Sequence, residues 1–291
     1  MNRVWLITGA NSGFGHAIAE AAVAAGDIVV ATARRVMSLD NLAAAHPGQV
    51  DVVPLDVTDT VAIDATVQDV IGCHGRIDVL VNNAGRTHVG AAEETSDAEL
   101  RDLFEVHVFG PATLARAVLP HMRSRRSGAI VQVSSMGGQL SFAGFAAYSA
   151  TKFALEGMSE ALADEVRPLG IKVLIVEPGA FRTGLFGNHS TSTPIPDYDG
   201  TVGRTRQMVE TSAGTQPGDP AKAATAILTA LDAPRTPLRL PLGDDAVDAI
   251  LSHLDSTRAD VRTWEKLARD TRLAGETAPS ATTASIGDNS I

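Results

Sequence analysis

The sequence predicts an α/β protein built on a doubly wound parallel sheet with helices on both faces. Three observations carry that prediction. Strand-like and helix-like segments alternate from the first residues onward. The strand segments are apolar nearly throughout, as expected when both sheet faces are covered by helices. A glycine-rich turn separates the first strand from the first helix, where open sheets of this kind bind their ligands.

Taken in order, a buried strand is expected at Val4–Thr8, then a helix over 13–25 stopped by Gly26. Strands two and three fall at 27–31 and 50–55, a helix at 60–71 and a fourth strand at 77–81. A long helical stretch covers about 97–123, followed by a fifth strand at Gly128–Val133, a helix at 148–167 and a sixth strand at 171–176. After Pro178 the pattern loosens. Residues 183–217 are rich in Gly, Thr, Ser and Pro, with a short helix expected near 204–210. An insertion there is expected to form a lid over the carboxyl ends of the strands. A helix at 219–231, a last strand at 237–242 and an amphipathic helix at 244–272, docked through Trp264 and Leu267, complete a single domain over 1–273. The remainder, 274–291, is poor in large apolar residues and reads as a flexible tail.

The bulk properties restrict the function. With 291 residues, 44% of them hydrophobic, the chain suits one sizeable domain. A formal net charge of -10 argues against a nucleic-acid partner held by general electrostatics. The single cysteine, Cys73, cannot form an intrachain disulfide, and the eight histidines are scattered without metal-ligand spacing, so no metal site is expected. The apolar run at residues 4–7 is too short for a secretory core or a membrane span, and a cytoplasmic protein without membrane attachment is the expectation.

The chemistry lies in a series of short motifs. The first turn reads Thr8-Gly9-Ala10-Asn11-Ser12-Gly13-Phe14-Gly15. Glycines there let the backbone turn sharply and approach a pyrophosphate, while the helix N-terminus offers amide donors. An ordinary glycine-rich turn is the plainer alternative. The second strand leads into Ala33-Arg34-Arg35, with no carboxylate where an NAD-preferring enzyme usually holds the ribose 2′-hydroxyl. The two arginines suit a 2′-phosphate; otherwise they are a solvated basic pair. Asp56-Val57 follows the third strand, Asn82-Asn83-Ala84-Gly85 the fourth and Ser134-Ser135 the fifth. Tyr148 and Lys152, four residues apart, share one helical face. Glu177-Pro178-Gly179-Ala180-Phe181-Arg182-Thr183 follows the sixth strand.

In this order and spacing, including the thirteen-residue step from Ser135 to Tyr148, the motifs resemble the common single-domain branch of the short-chain dehydrogenase/reductase superfamily, over about residues 3–243. The resemblance implies a Rossmann-type doubly wound parallel sheet and a hydride transfer between NADP(H) and a carbonyl or secondary alcohol. It implies that Gly9, Asn11, Ser12, Gly13, Phe14 and Gly15 hold the cofactor's phosphates and ribose, with Arg34 and Arg35 at its 2′-phosphate. Asp56, Val57, Asn82, Ala84 and Gly85 would lie along the nucleotide, and Pro178, Gly179 and Thr183 at the nicotinamide end. Tyr148 would be the general acid or base, Lys152 its partner and a ribose ligand, and Ser135 a donor to the substrate oxygen. Negative charge grows on that oxygen as hydride reaches the carbon, which is why two hydroxyl donors suit the reaction. A lysine ammonium would lower the tyrosine's pKa.

One departure is visible. The family's usual asparagine in the middle helix is replaced by His107. Either His107 takes over the asparagine's role of holding a water near Lys152, or it is a satisfied core histidine. The apolar residues Leu140, Phe142, Phe145, Phe181, Leu185 and Phe186 favour an apolar small-molecule substrate, and relatives' habits imply a homo-oligomer. A cofactor-binding regulator without turnover and a redox-neutral enzyme of the same fold are the competing readings.

Overall fold

Alternation along the first strand already divides the interior in two. In the computed structural model, which describes residues 2–273, β1 (Val4–Thr8) sends Trp5 and Ile7 into one apolar cluster and Val4 and Leu6 into another on the opposite face. The expected tail at 274–291 lies outside the described residues. The remaining strands are β2 (Ile28–Ala33), β3 (Val50–Pro54), β4 (Val79–Asn82), β5 (His88–Val89), β6 (Gly128–Val133), β7 (Ile171–Pro178), β8 (Ser190–Thr191) and β9 (Arg239–Leu242). Seven of them form one sheet in the order β3-β2-β1-β4-β6-β7-β9, every pair parallel. β5 and β8 form a separate short ladder.

The helices are α1 (Gly13–Ala24), α2 (Asp40–Ala45), α3 (Thr60–His74), α4 (Asp97–Phe104), α5 (Gly110–Arg125), α6 (Ala146–Val166), α7 (Arg204–Ser212), α8 (Pro220–Asp232) and α9 (Asp244–Arg269). α1 and α8 cover the Trp5 face with Ile18, Val23, Ile227 and Leu231; α3, α5 and α6 cover the other with Val67, Val118, Met122 and Leu162. Local chemistry sets their ends. Asp59 accepts from the Val61 and Ala62 amides to start α3, and Gly75, at φ 75°, closes it. Ser96 and Glu99 form a reciprocal capping box at α4.

The long helix expected over 97–123 is interrupted. Residues Glu105–Phe109 form a wider π turn between α4 and α5. Pro111 has no amide hydrogen to give the carbonyl four residues back, that of His107. Gly110 packs where a Cβ would stand 2.6 Å from the Val57 carbonyl oxygen. Both features favour a local widening of the helix. α2 was not visible in the periodicity, being only six residues long.

The insertion after β7 contains β8 and α7 and is fastened to the loop between β5 and α4. Buried Glu94 accepts from the Ala91 and Ile195 amides and pairs with Arg206. His88 bonds both Ser190 and Ser192 at 2.9 Å.

A first compact body runs to Ile250, and a second, smaller unit begins at Leu251. α9 starts in the body with Ala246 and Ile250 buried. Every described residue from Leu251 onward is exposed. Trp264 and Leu267, on one face of α9, are 63% and 65% exposed. The described part of the second unit offers no other helix or strand for that face to pack on.

Candidate active site

The carboxyl ends of six parallel strands meet around one cleft of about 260 Å³. β1 leads into it through Gly9 to Phe14, β2 through Ala33 and Arg34, and β3 through Leu55, Asp56 and Val57. β4 contributes Asn83 to Arg86, β6 Val133 to Ser135, and β7 Pro178 to Ala180. The cleft straddles the place where chain order reverses, β1 having β2 on one side and β4 on the other. That is where open α/β sheets bind nucleotides.

The glycine turn fits a pyrophosphate. Gly9 and Gly13 have φ values of 63° and 55°, a left-handed geometry that side chains resist. A Cβ on Gly15 would stand 2.5 Å from both the Gly9 carbonyl oxygen and the Asn83 amide nitrogen. The first amides of α1 have no intrahelical acceptor, no acidic residue occupies its first turn, and the Ser12 side chain makes no capping bond. These donors and their positive end-charge suit an anion.

Sequence reasoning missed what supports this turn. The Thr8 hydroxyl accepts from the Asn83 and Ala84 amides at 3.0 Å, while Asn83 donates its side-chain amide to the Thr8 and Gly9 carbonyls at 2.8 and 3.1 Å. Asn82 was expected along the nucleotide. Strand alternation instead turns it into the interior, where it donates to the Gln132 side chain at 2.9 Å. The neighbouring Asn83 takes the cleft position. Two other expected contacts lie outside the cleft wall. Gly15 sits behind the turn, and Arg35, which opens the 3-10 turn Val36–Leu39, is not part of the wall. Arg34, Asp56, Val57, Ala84, Gly85, Pro178, Gly179 and Thr183 are all in the wall. Asp56 is held below the ordinary carboxylate range, chiefly by hydrogen bonds from Thr58, with Arg34 adding to the effect.

Ser135, Tyr148 and Lys152 converge on the same cleft from β6 and α6. Ser135 accepts from the Gly137 amide at 3.0 Å, which fixes its hydroxyl. Lys152 donates to the Val133 carbonyl at 3.0 Å, and its ammonium lies 5.7 Å from the centre of the Tyr148 ring. Burial pushes Lys152 down to about 8, against the opposing pull of the Glu156 carboxylate. Tyr148 stands above its ordinary value: burial raises it, and the Ser135 hydroxyl only partly compensates. The lowering expected from Lys152 does not contribute to that shift.

His107 is buried, with both ring nitrogens occupied. Nε2 accepts from the Arg86 amide at 3.1 Å, which places the proton on Nδ1. Nδ1 donates to the Thr151 hydroxyl at 2.8 Å, and that hydroxyl donates to the Tyr148 carbonyl at 2.7 Å. Burial and the Lys152 charge hold His107 well below its ordinary pKa, so the ring is neutral. No ring nitrogen remains for a water shared with Lys152, and the core-histidine reading is the one this geometry favours. His107→Leu is expected to leave the Arg86 amide without an acceptor and the Thr151 oxygen without its donor, at a cost of about 1–3 kcal/mol. Thermal unfolding should show that loss while kcat against pH keeps its shape. A moved inflection would put His107 back on the proton path.

The apolar wall is smaller than expected. Leu185, Phe186 and Phe181 line the cleft, but Leu140, Phe142 and Phe145 do not. Phe181 tilts against Phe14 at 5.0 Å on the glycine-turn side, and Phe145 packs against Tyr148 from behind. Among the described residues no group of three or more His, Cys, Asp or Glu could hold a metal ion, and no helix is long and apolar enough to cross a membrane.

Comparison with known proteins agrees with this geometry. Residues 3–193 match the family model for short chain dehydrogenases. An oxidoreductase of Botryotinia fuckeliana, BOA17, is 37% identical over 271 residues, spanning 92% of this chain and 98% of its own. A crystal structure of a short-chain dehydrogenase from Streptomyces avermitilis superimposes with a TM-score of 0.89 at 64% identity, covering 93% of this chain and 98% of that one. A metagenomic short-chain oxidoreductase solved in complex with NADP aligns with a TM-score of 0.66 at 30% identity, over 82% of this chain and 96% of its own. With its parallel sheet, glycine turn and Ser135–Tyr148–Lys152 group in one cleft, the chain belongs to the short-chain dehydrogenase/reductase family.

Proposed function

We propose that the protein interconverts a ketone and a secondary alcohol on a small, largely apolar molecule, with NADP(H) as the redox partner and Tyr148 as general acid and base. The observation that carries this reading is the convergence of Ser135, Tyr148 and Lys152 beside a glycine cradle open to an anion. The bound nicotinamide supplies or accepts the hydride. The protein's own side chains manage the charge and the proton. In the reducing direction, Ser135 and Tyr148 donate hydrogen bonds to the substrate oxygen as its negative charge grows. Tyr148 then gives its hydroxyl proton to that oxygen, forming the alcohol. The Lys152 ammonium stabilises the phenolate left behind. Leu185 and Phe186 exclude water on the substrate side.

The preference for NADP(H) rests on Arg34. It lines the cleft next to Ala33, and no carboxylate follows β2 to bind a free 2′-hydroxyl. The NADP-bound relative supports the same choice. NADPH and NADH consumption across a panel of ketones tests the proposal. Arg34→Ala is expected to raise the KM for NADPH by roughly tenfold or more, as for loss of a charge-assisted phosphate contact of about 1.5–3 kcal/mol, and to leave that for NADH nearly unchanged. A wild-type preference for NADH, or a mutant with the same preference as wild type, would overturn it.

A further inference from the structure

Two carboxyl groups meet in the interior one helical turn from Lys152. Glu156 follows Lys152 on the same face of α6, and Glu177 comes from β7, immediately before the Pro178-Gly179 segment of the cleft wall. Their side chains are 5% and 0% exposed, and they lie within hydrogen-bonding range of one another. The fit around them is close. A Cβ on Gly138 would stand 2.8 Å from the Glu156 Cγ and 3.0 Å from its Oε1.

Donors are too few for two carboxylates. Glu156 Oε2 accepts from Arg239 Nε at 2.9 Å, and Glu177 Oε1 accepts from the Gln139 side-chain amide at 2.5 Å. The other oxygen of each group, Glu156 Oε1 and Glu177 Oε2, has no donor among the described residues. Arg239, from β9, comes only within 3.6 Å of Glu177 and also donates to Glu160 at 2.6 Å. One guanidinium thus serves three carboxyl groups. A buried carboxylate oxygen without a donor is costly, and two carboxylates in contact resist ionising together. A single proton between them makes one group a donor and the other its acceptor. Burial, with the Glu156 charge adding to it, pushes Glu177 up to about 7 against the Gln139 hydrogen bond and the Arg239 charge.

We propose that Glu156 and Glu177 share one proton and act as positioning residues for the reaction, their negative charge holding Lys152 in its ammonium form. The proposal rests on the roles of Tyr148 and Lys152 given above. With the shared proton the pair carries one negative charge; without it, two. In both states the pair opposes the loss of the Lys152 proton that burial favours. The other titratable groups facing Lys152 are Tyr148, from α6, and the neutral His107 ring, from the π turn; neither supplies a negative charge near neutrality. Those facing the pair are Arg239 from β9 and Glu160 from α6. As pH rises through about 7 the pair gains its second charge, just below the range in which Lys152 titrates. The ammonium therefore persists to higher pH than a singly charged pair would allow.

The test is a pH titration of the full chain by nuclear magnetic resonance, with carbon-13 in the glutamate carboxyls and at the lysine Cε; the Lys152 signal is assigned by its loss in Lys152→Met. Wild type should show one glutamate carboxyl titrating near 7. Glu177→Gln should remove that titration, Glu156→Gln should lower it, and Arg239→Gln, which takes away the shared cation, should raise it. The Lys152 titration should fall by about one pH unit in Glu156→Gln, as for loss of a neighbouring opposite charge, and by less in Glu177→Gln, where Glu156 stays ionised. The alkaline limb of kcat against pH should move with it. No glutamate titrating near neutrality in wild type overturns the shared proton. A Lys152 titration that stays in place in Glu156→Gln overturns the link to the reaction, and a lower Tm without that movement would show a packing role alone. If Glu156→Gln does not fold, an unmoved Lys152 in Glu177→Gln decides the same point. These spectra need no turnover, so a chain that reduces no ketone would defeat the proposed function and still leave the carboxyl pair to be judged.

Discussion

Tyr148→Phe is expected to lower kcat for ketone reduction by at least roughly a hundredfold, the scale of a lost general acid. The substitution removes one hydroxyl and keeps the ring that packs between Phe145 and His107. The backbone carbonyl that Thr151 bonds is unaffected. Affinity for NADPH, measured by fluorescence titration, should therefore be preserved, and only the chemical step should suffer. Substantial residual turnover would mean the proton comes from elsewhere. The wild-type pH profile adds a sign. Lys152 titrates at about 8, depressed by burial. Its ammonium, needed to stabilise the phenolate, is present below that pH and lost above it. The Tyr148 hydroxyl, raised by burial, keeps its proton throughout this range. Reduction should thus decline as pH rises through about 8.

Gly15→Ala should be the most damaging single-methyl change in the cofactor half of the cleft. The new Cβ would fall 2.5 Å from both the Gly9 oxygen and the Asn83 side-chain nitrogen, and 2.9 Å from the Gly9 carbonyl carbon. Two of those atoms are backbone and cannot swing aside. The third is the amide that holds the Thr8 and Gly9 carbonyls in place. Relieving the overlap means moving the turn, at about 1–3 kcal/mol. Transferred to cofactor binding, that is roughly five- to 150-fold in Kd. Calorimetric titration with NADPH should show the loss even though Gly15 is not itself in the cleft wall. An unchanged Kd would mean that the turn tolerates displacement.

Much of this architecture was legible in the chain. Buried parallel strands such as Leu174–Val176 contain no polar residue, and Gly13, Gly75 and Asp59 mark helix ends by conformational or capping needs that few residues meet. The Tyr148–Lys152 pair was legible because four residues along a helix place both side chains on one face. What was hidden depends on contacts between distant segments. The choice between Asn82 and Asn83 follows from where strand β4 ends and which side chain meets Gln132. The closed bonding of His107 needs Arg86 and Thr151, respectively 21 and 44 residues away. Phe181 reads as a substrate contact until its packing on Phe14 is known. Trp264 reads as a core anchor because periodicity reports that a face is apolar and not what covers it.

The strand order also constrains how the molecule is assembled during synthesis. β1 emerges first and becomes an inner strand, with β2 and β3 added outward on one side. Growth then reverses. β4 joins the other side of β1, and β6, β7 and β9 follow outward in sequence. Each strand therefore finds its neighbour already made, and no later strand has to be threaded between two that are paired. The interval between additions is long, however. After β4 closes at Asn82, its outer edge waits until Gly128–Val133 arrives, and the edge of β7 waits until Arg239–Leu242. An apolar parallel edge left open over such spans is a site of intermolecular strand pairing. The nascent chain is most vulnerable to aggregation in those intervals, so its yield depends on the time between successive strands as well as on the stability of the finished sheet.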